Sequence, residues 1–149
     1  MAPSGEQRDP FRTHEGFGYA LKQAQQAMRS RMDRELKPLG LNAPQYAVLA
    51  SLEAEPGLSN ADLARRAFVT PQTMQTMLVK LERAGMIERS PDAEHGRIQR
   101  TELTATGRDT VMKAHGIAAD AERIARSATE GVDPDVATAM LRRVAEALR

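Results

Sequence analysis

Apolar residues recur at spacings of three and four along most of this chain, the period of helices that bury one face. Phe17, Leu21, Ala24, Met28 and Met32 form the first stripe, on a helix expected from Pro10 to about Leu36. Tyr46, Leu49, Ala50 and Leu52 form a second, Leu63, Ala64 and Ala67 a third, and Met74, Met77, Leu78 and Leu81 a fourth. A long helix is predicted from Thr104 to about Thr129. A last one opens at Pro134 and carries Val136, Met140, Leu141, Val144 and Leu148. The period changes only between Gly85 and Thr104. Met86–Arg89 and Arg97–Leu103 read as two short strands around a tip marked by Pro91, Asp92 and Gly96. The fold class expected is mainly α with a small β-hairpin wing.

Capping chemistry sharpens the boundaries. Asn42 suits the start of the second helix, with Pro44 in its first turn and Gln45 reaching back in a capping box. Ser59 can accept from the N–H of Asp62, and Asp62 complements the positive helix start. Thr70 caps the fourth helix, and Pro71 sits at its first position, where no N–H is needed. Phe68 and Val69 are left as the short turn between two helices, and Gly85 closes the second of them. Two capped helices a short turn apart, followed by a basic ribbon, make a winged helix-turn-helix, a module that reads double-stranded DNA.

The face opposite the fourth stripe carries Gln72, Thr73, Gln75, Thr76 and Lys80, beside the capping Thr70. Glutamine can pair bidentately with adenine, and threonine offers a hydroxyl and a methyl group. Arg89, His95, Arg97 and Arg100 along the ribbon can lie on phosphates, and an arginine can enter the minor groove. These ten residues are the expected DNA contacts. An interaction module built on the same fold would show aromatic or leucine anchors on that helix face. A winged-helix protein–protein module without specific DNA reading is therefore the alternative.

The order of these landmarks resembles the multiple-antibiotic-resistance regulator (MarR) family. Leu41-Asn42-Ala43-Pro44-Gln45, Pro56-Gly57-Leu58-Ser59 and Asp62-Leu63-Ala64 are followed by Val69-Thr70-Pro71-Gln72-Thr73-Met74. The run Leu81 to Arg89 and the segment Glu102 to Gly107 complete the match, which covers roughly residues 15 to 149. The resemblance implies a sequence-specific transcriptional regulator, a repressor relieved by a small aromatic acid or phenol. It also implies a homodimer built by the first and last two helices, on a pseudo-palindromic operator. The division is then a flexible start at 1–9, a helical dimerisation region at 10–40 and 104–149, and the winged reader at 41–103. In one respect the chain departs from the family pattern. His95 stands two residues before the wing-tip Arg97, where relatives often carry a bracing aspartate, so the free wing is either looser or braced by Asp92 or Glu94.

Composition trims the possibilities further. The 149 residues suit one domain. The net charge of +1 gives no overall basic signature, so positive charge for DNA has to be local. With no cysteine, disulfides, zinc-thiolate sites and thiol-based sensing are all excluded. The three histidines are scattered, and neither a metal nor a cofactor is expected. A Gly-rich phosphate loop, a nucleophile elbow and an HExxH pattern are all missing, so no enzyme is expected. There is no apolar run of the roughly 20 residues that span a membrane and no signal-peptide core, which points to the cytoplasm.

The terminal helices carry more apolar surface than a small reader can cover, which calls for a two-fold partner. An effector cleft between the dimer helices and the reader, as the resemblance implies, would draw on Phe17, Met28, Met32, Tyr46, Met112 and His115. Arg31 or His14 would meet a carboxylate.

Overall fold

The computed structural model describes residues 14–149. The flexible start expected at 1–9 and the helix start expected at Pro10 lie outside these residues. His14–Gly16 form a turn, and helix α1 runs Phe17–Leu36 behind Gly16, which supplies no side-chain cap. A 3₁₀ turn at Lys37–Leu39 leads into α2, Ala43–Ala54. Strand β1 is Leu58–Ser59, α3 is Asn60–Arg66 and α4 is Pro71–Arg83. The wing consists of β2, Ile87–Pro91, and β3, Gln99–Leu103. Two helices follow, α5 at Ala105–Ser127 and α6 at Pro134–Ala147.

The expected caps form as local hydrogen bonds. Asn42 Oδ1 accepts from Gln45 N at 2.9 Å, and Gln45 Oε1 accepts from Asn42 N at 3.0 Å. The Ser59 hydroxyl accepts from Asp62 N at 3.2 Å, and Asp62 returns the bond to Ser59 N. Thr70 caps Thr73 N at 3.1 Å; Thr104, expected as the first residue of its helix, instead caps it, accepting from Gly107 N at 3.1 Å. Caps of this type stabilise by about 1 kcal/mol each, and they set where each helix begins.

The sheet has three antiparallel strands in the order β1-β3-β2, rather than the two expected. Leu58 pairs with Thr101 and Ser59 with Arg100 on one side of β3; Ile87 pairs with Leu103 and Pro91 with Gln99 on the other. The wing strands also differ from the expected bounds, β2 reaching further toward the tip and β3 starting later. β2 extends to Pro91, and Arg97 lies in the tip turn instead of β3. Proline is tolerated there because β2 is an edge strand.

Leu36, Leu49, Leu52, Leu63, Met74, Leu78, Leu81, Ile87 and Val111 are fully buried in one core shared by the reader, the end of α1 and the first half of α5. Each such side chain contributes about 1.5–3 kcal/mol by leaving water. The junction between α4 and α5 is especially tight. Gly85 adopts φ +71, which glycine accepts without steric cost, and turns the chain into β2. The Thr104 hydroxyl donates to Gly85 O at 2.5 Å, and Thr104 N donates to Met86 O at 3.1 Å. A Cβ on Gly107 would lie 1.9 Å from Met86 O, so only glycine fits this approach.

The last helix differs from the rest. α6 buries none of its residues, and Val136, Met140, Leu141 and Leu148 are exposed. Among the described residues, no helix is long and apolar enough to cross a membrane.

Candidate nucleic-acid interface

The helix α4 buries Met74, Met77, Leu78 and Leu81 against the core, which leaves Gln72, Thr73, Gln75, Thr76 and Lys80 on its exposed side. The helix N-terminus and the wing therefore border one surface, separated by a gap of about 490 Å³. Pro71, Gln75, Arg89, Arg97 and Arg100 line that gap together with the start of α3. Of the ten residues expected to meet DNA, Gln75, Arg89, Arg97 and Arg100 line this one gap, but they are not equally free.

Local hydrogen bonds occupy the hydroxyls of Thr70, at the cap of α4, and of Thr73 and Thr76 on it. The Thr70 hydroxyl caps Thr73 N and donates to Thr73 Oγ1 at 3.0 Å. The Thr76 hydroxyl donates to Gln72 O at 3.2 Å. Gln72 and Lys80 are exposed, and among the described residues their side chains make no hydrogen bond or ion pair.

On the wing, the arginines divide into paired and unpaired. Arg89 was expected on phosphates, but it is turned inward. Its side chain is only 14% exposed and donates to Glu82 Oε2 from Nε at 3.2 Å and from Nη2 at 2.8 Å. A third bond runs from Nη1 to Gln75 Oε1 at 3.1 Å. Arg100 donates from Nε to Asp92 Oδ2 at 2.7 Å and from Nη1 to Gly57 O at 3.4 Å. In the free chain both cations already have partners. Arg97 and His95 are exposed at the tip, and among the described residues neither side chain has a partner.

Asp92 organises that tip. Its Oδ1 accepts from the backbone N–H of Glu94 and of His95, both at 2.9 Å, while Oδ2 holds Arg100. The Arg100 bond and the His95 and Glu94 amides hold the Asp92 carboxyl at about 2, below the usual carboxylate range. The wing of this chain is therefore braced from Asp92, as one of the two sequence-based alternatives had it. The arginine it grips is Arg100 rather than Arg97.

The residues expected in an effector cleft do not converge on one place. His14 meets the Tyr19 ring edge-on at 5.4 Å. Phe17 and Met112 are exposed, Met32 is buried in the core, and Met28 lines a groove between α1, α5 and α6. Arg31, expected to meet a ligand carboxylate, binds the chain's own Glu35 at 2.8 Å and Asp120 at 3.2 Å instead. Only Tyr46 and His115 come together. The Tyr46 hydroxyl lies 2.9 Å from His115 Nδ1, and His115 Nε2 lies 2.5 Å from Glu53 Oε2. With the Nε2 proton facing the Glu53 carboxylate, Nδ1 is the ring atom placed to meet the tyrosine hydroxyl. Burial, and secondarily the Glu53 charge, raises the Tyr46 pKa, so its hydroxyl stays protonated. The acid beside His115 was not visible in the sequence. Even so, no group of three metal-binding side chains exists among the described residues.

The MarR family model matches residues 39–98, from the 3₁₀ turn through the tip of the wing. The HTH-type transcriptional repressor Rv2887 of Mycobacterium tuberculosis is 43% identical over 112 residues, covering 74% of this chain and 81% of that protein. The solved complex of Rv2887 with DNA superposes with a TM-score of 0.67, covering 86% of this chain and 96% of that one at 33% identity. The transcriptional repressor CouR, bound to a 23-mer DNA duplex, superposes at 0.76 over 95% of this chain and 98% of that one, at 28% identity. PcaV of Streptomyces coelicolor, solved with its natural ligand, superposes at 0.78 over 92% and 96%, at 26% identity. Extensive identity to a repressor, over four-fifths of that repressor's length, joins the helix-turn-helix and wing built above: this chain belongs to the MarR family of DNA-binding transcriptional regulators.

Proposed function

We propose that this protein is a ligand-relieved repressor that binds a pseudo-palindromic operator in the cytoplasm as a homodimer. The observation that carries the reading is the exposed, polar outer face of α4 beside a wing whose tip presents the unpaired Arg97. Gln72, Gln75 and Thr76 are assigned to base edges in the major groove, and Arg97 to the minor groove. Lys80 and His95 are assigned to phosphates. Arg89, held by Glu82, acts on the interface through Gln75 rather than on phosphate directly. CouR and Rv2887 in their DNA complexes support this arrangement by likeness of fold.

The dimer rests on the unfinished end of the molecule. α1, α5 and α6 enclose an apolar groove of about 710 Å³ lined by Leu21, Met28, Leu141, Val144 and Leu148. A second copy that fills it would bury the exposed face of α6 and set two reading helices about one DNA turn apart, roughly 34–36 Å. For the effector, PcaV with its natural ligand supports a small organic molecule by analogy. The Tyr46–His115–Glu53 chain between α2 and α5 offers a polar anchor beside α1.

Selection of bound genomic fragments by the purified protein tests the whole reading. The expected result is a two-fold motif bound by a dimer, with affinity that falls steeply with salt and falls again when a salicylate-like acid is added. Allosteric coupling of this kind is about 5–150-fold and reciprocal. Retention of random and selected DNA to the same extent would overturn the specific-repressor reading. Failure of every aromatic acid up to millimolar concentration would remove the effector class alone.

A further inference from the structure

Gln75 is the one base-reading candidate whose side-chain amide is held by another side chain. Arg89 Nη1 donates to Gln75 Oε1 at 3.1 Å. A guanidinium has only N–H groups to offer, so the atom it meets has to be the amide oxygen, and the orientation of the amide follows from chemistry. Arg89 cannot easily turn away, because its Nε and Nη2 both donate to Glu82 Oε2, at 3.2 and 2.8 Å. The Arg89 side chain is only 14% exposed while Gln75 is exposed, so the oxygen is held on the protein side by a part-buried group and the NH₂ has no protein partner among the described residues. Hydrogen bonds in a chain polarise one another, and a cation on the amide oxygen strengthens the outward N–H donors.

From this chain of contacts we infer that Gln75 reads DNA as a donor only, that the base facing it in each half-site is guanine, and that Glu82 and Arg89 are the residues that set this preference. Adenine recognition by glutamine needs both halves of the amide on the base, the oxygen accepting from N6 and the nitrogen donating to N7. Here Arg89 holds one lone pair of the oxygen and fixes the amide's orientation, which favours its donor side for the base. Guanine presents two adjacent acceptors, O6 and N7, which the NH₂ group satisfies without the oxygen. Arg89 is thus a positioning residue for specificity, and its charge is spent on Glu82 rather than on a phosphate. The inference rests on α4 reading the major groove, as proposed above.

Selection from a randomised duplex library tests it with the full chain and three variants, each first checked for folding by its melting curve. Gln75→Ala locates the position, because discrimination flattens at one base pair per half-site. That position should be guanine for the natural chain. With Arg89→Met the amide is free to rotate, and the guanine-to-adenine ratio there should fall roughly tenfold while the other positions hold. Glu82→Gln, which removes the carboxylate that anchors Arg89, should move the same position in the same direction by less, and it serves where Arg89→Met does not fold. Adenine at the mapped position in the natural chain, or a guanine preference untouched in both anchoring variants, overturns the inference while the repressor reading stands. No sequence enrichment by any variant or by the natural chain overturns both.

Discussion

The reader and the far helical end of this molecule are built to different degrees of completion. In the reader, α2, α3, α4 and the sheet close around Leu49, Leu52, Leu63, Met74, Leu78, Leu81 and Ile87, all fully buried within the single chain. At the other end α6 buries nothing, and Val132, Val136, Met140, Leu141 and Leu148 stay exposed. The outer face of α4 is polar, while α6 leaves an apolar face uncovered, the surface assigned above to the proposed dimer. The two ends therefore differ in how much apolar surface the chain covers by itself, and perturbations at the two ends should fail in different ways.

The largest effect should follow deletion of the chain from Pro134. Removing α6 takes away the exposed apolar face, so sedimentation should show a monomer, and operator affinity should fall to that of a single half-site. A truncated chain that remains dimeric and binds tightly would place the interface elsewhere. Second in size is Gly107→Ala. The new methyl group would lie 1.9 Å from Met86 O, so α5 has to shift off the reader. Overpacking of this kind costs about 3 kcal/mol, read from denaturant unfolding. Here the reader itself should loosen, in contrast to the truncation, which leaves its core intact.

Arg97→Ala should act without touching either core. Operator binding should weaken, and the slope of log affinity against log salt should fall by roughly one, the share of one phosphate neutralised. Melting should not change. The bracing of the wing tip gives a pH test within the reader. The folded-state pKa of Asp92 lies below its ordinary value of 3.8, so the brace is fully present above that value and is lost as pH falls toward about 2. The protection of the Glu94 and His95 amides, their exchange relative to the intrinsic rate at each pH, should be flat from pH 5 to 8 and fall only on acidification through that window. Asp92→Asn should abolish the acid-dependent step. The smallest effect is expected at Phe68, which holds φ +56 and is 91% exposed. Phe68→Gly relieves a left-handed backbone worth about 1–2 kcal/mol and loses part of that to unfolded-chain entropy. A slight rise in melting temperature is the expected outcome.

What the sequence made legible divides along the range of the contacts. The caps at Asn42, Ser59 and Thr70 all join residues three apart, and each could be named from the local pattern. Buried positions on α3 and α4 followed from periodicity for the same reason. Strand β1 was missed because two residues carry no period, and its pairing with Thr101 spans a long loop of chain. The inward turn of Arg89 was missed because Glu82 and Gln75 lie seven and fourteen residues away on a different element. Glu53 and His115 are 62 residues apart, and no spacing rule links them. Cationic residues could thus be assigned to the wing from sequence, but which of them remain free for DNA depended on partners that only the fold brings near.

The stitched junction between Gly85 and Gly107 gives α5 a mechanical role. With Thr104 bonded to Gly85 and Met86, the end of α4, the proposed reading helix, is tied directly to the start of α5. At 1.5 Å per residue, the 23 residues of α5 make a lever arm about 35 Å long. A rotation of only about 5° at its far end carries the reading helix some 3 Å, close to the 3.4 Å rise of one base pair along a strand. In the proposed dimer, a small tilt at the helical end is enough to put two half-sites out of register.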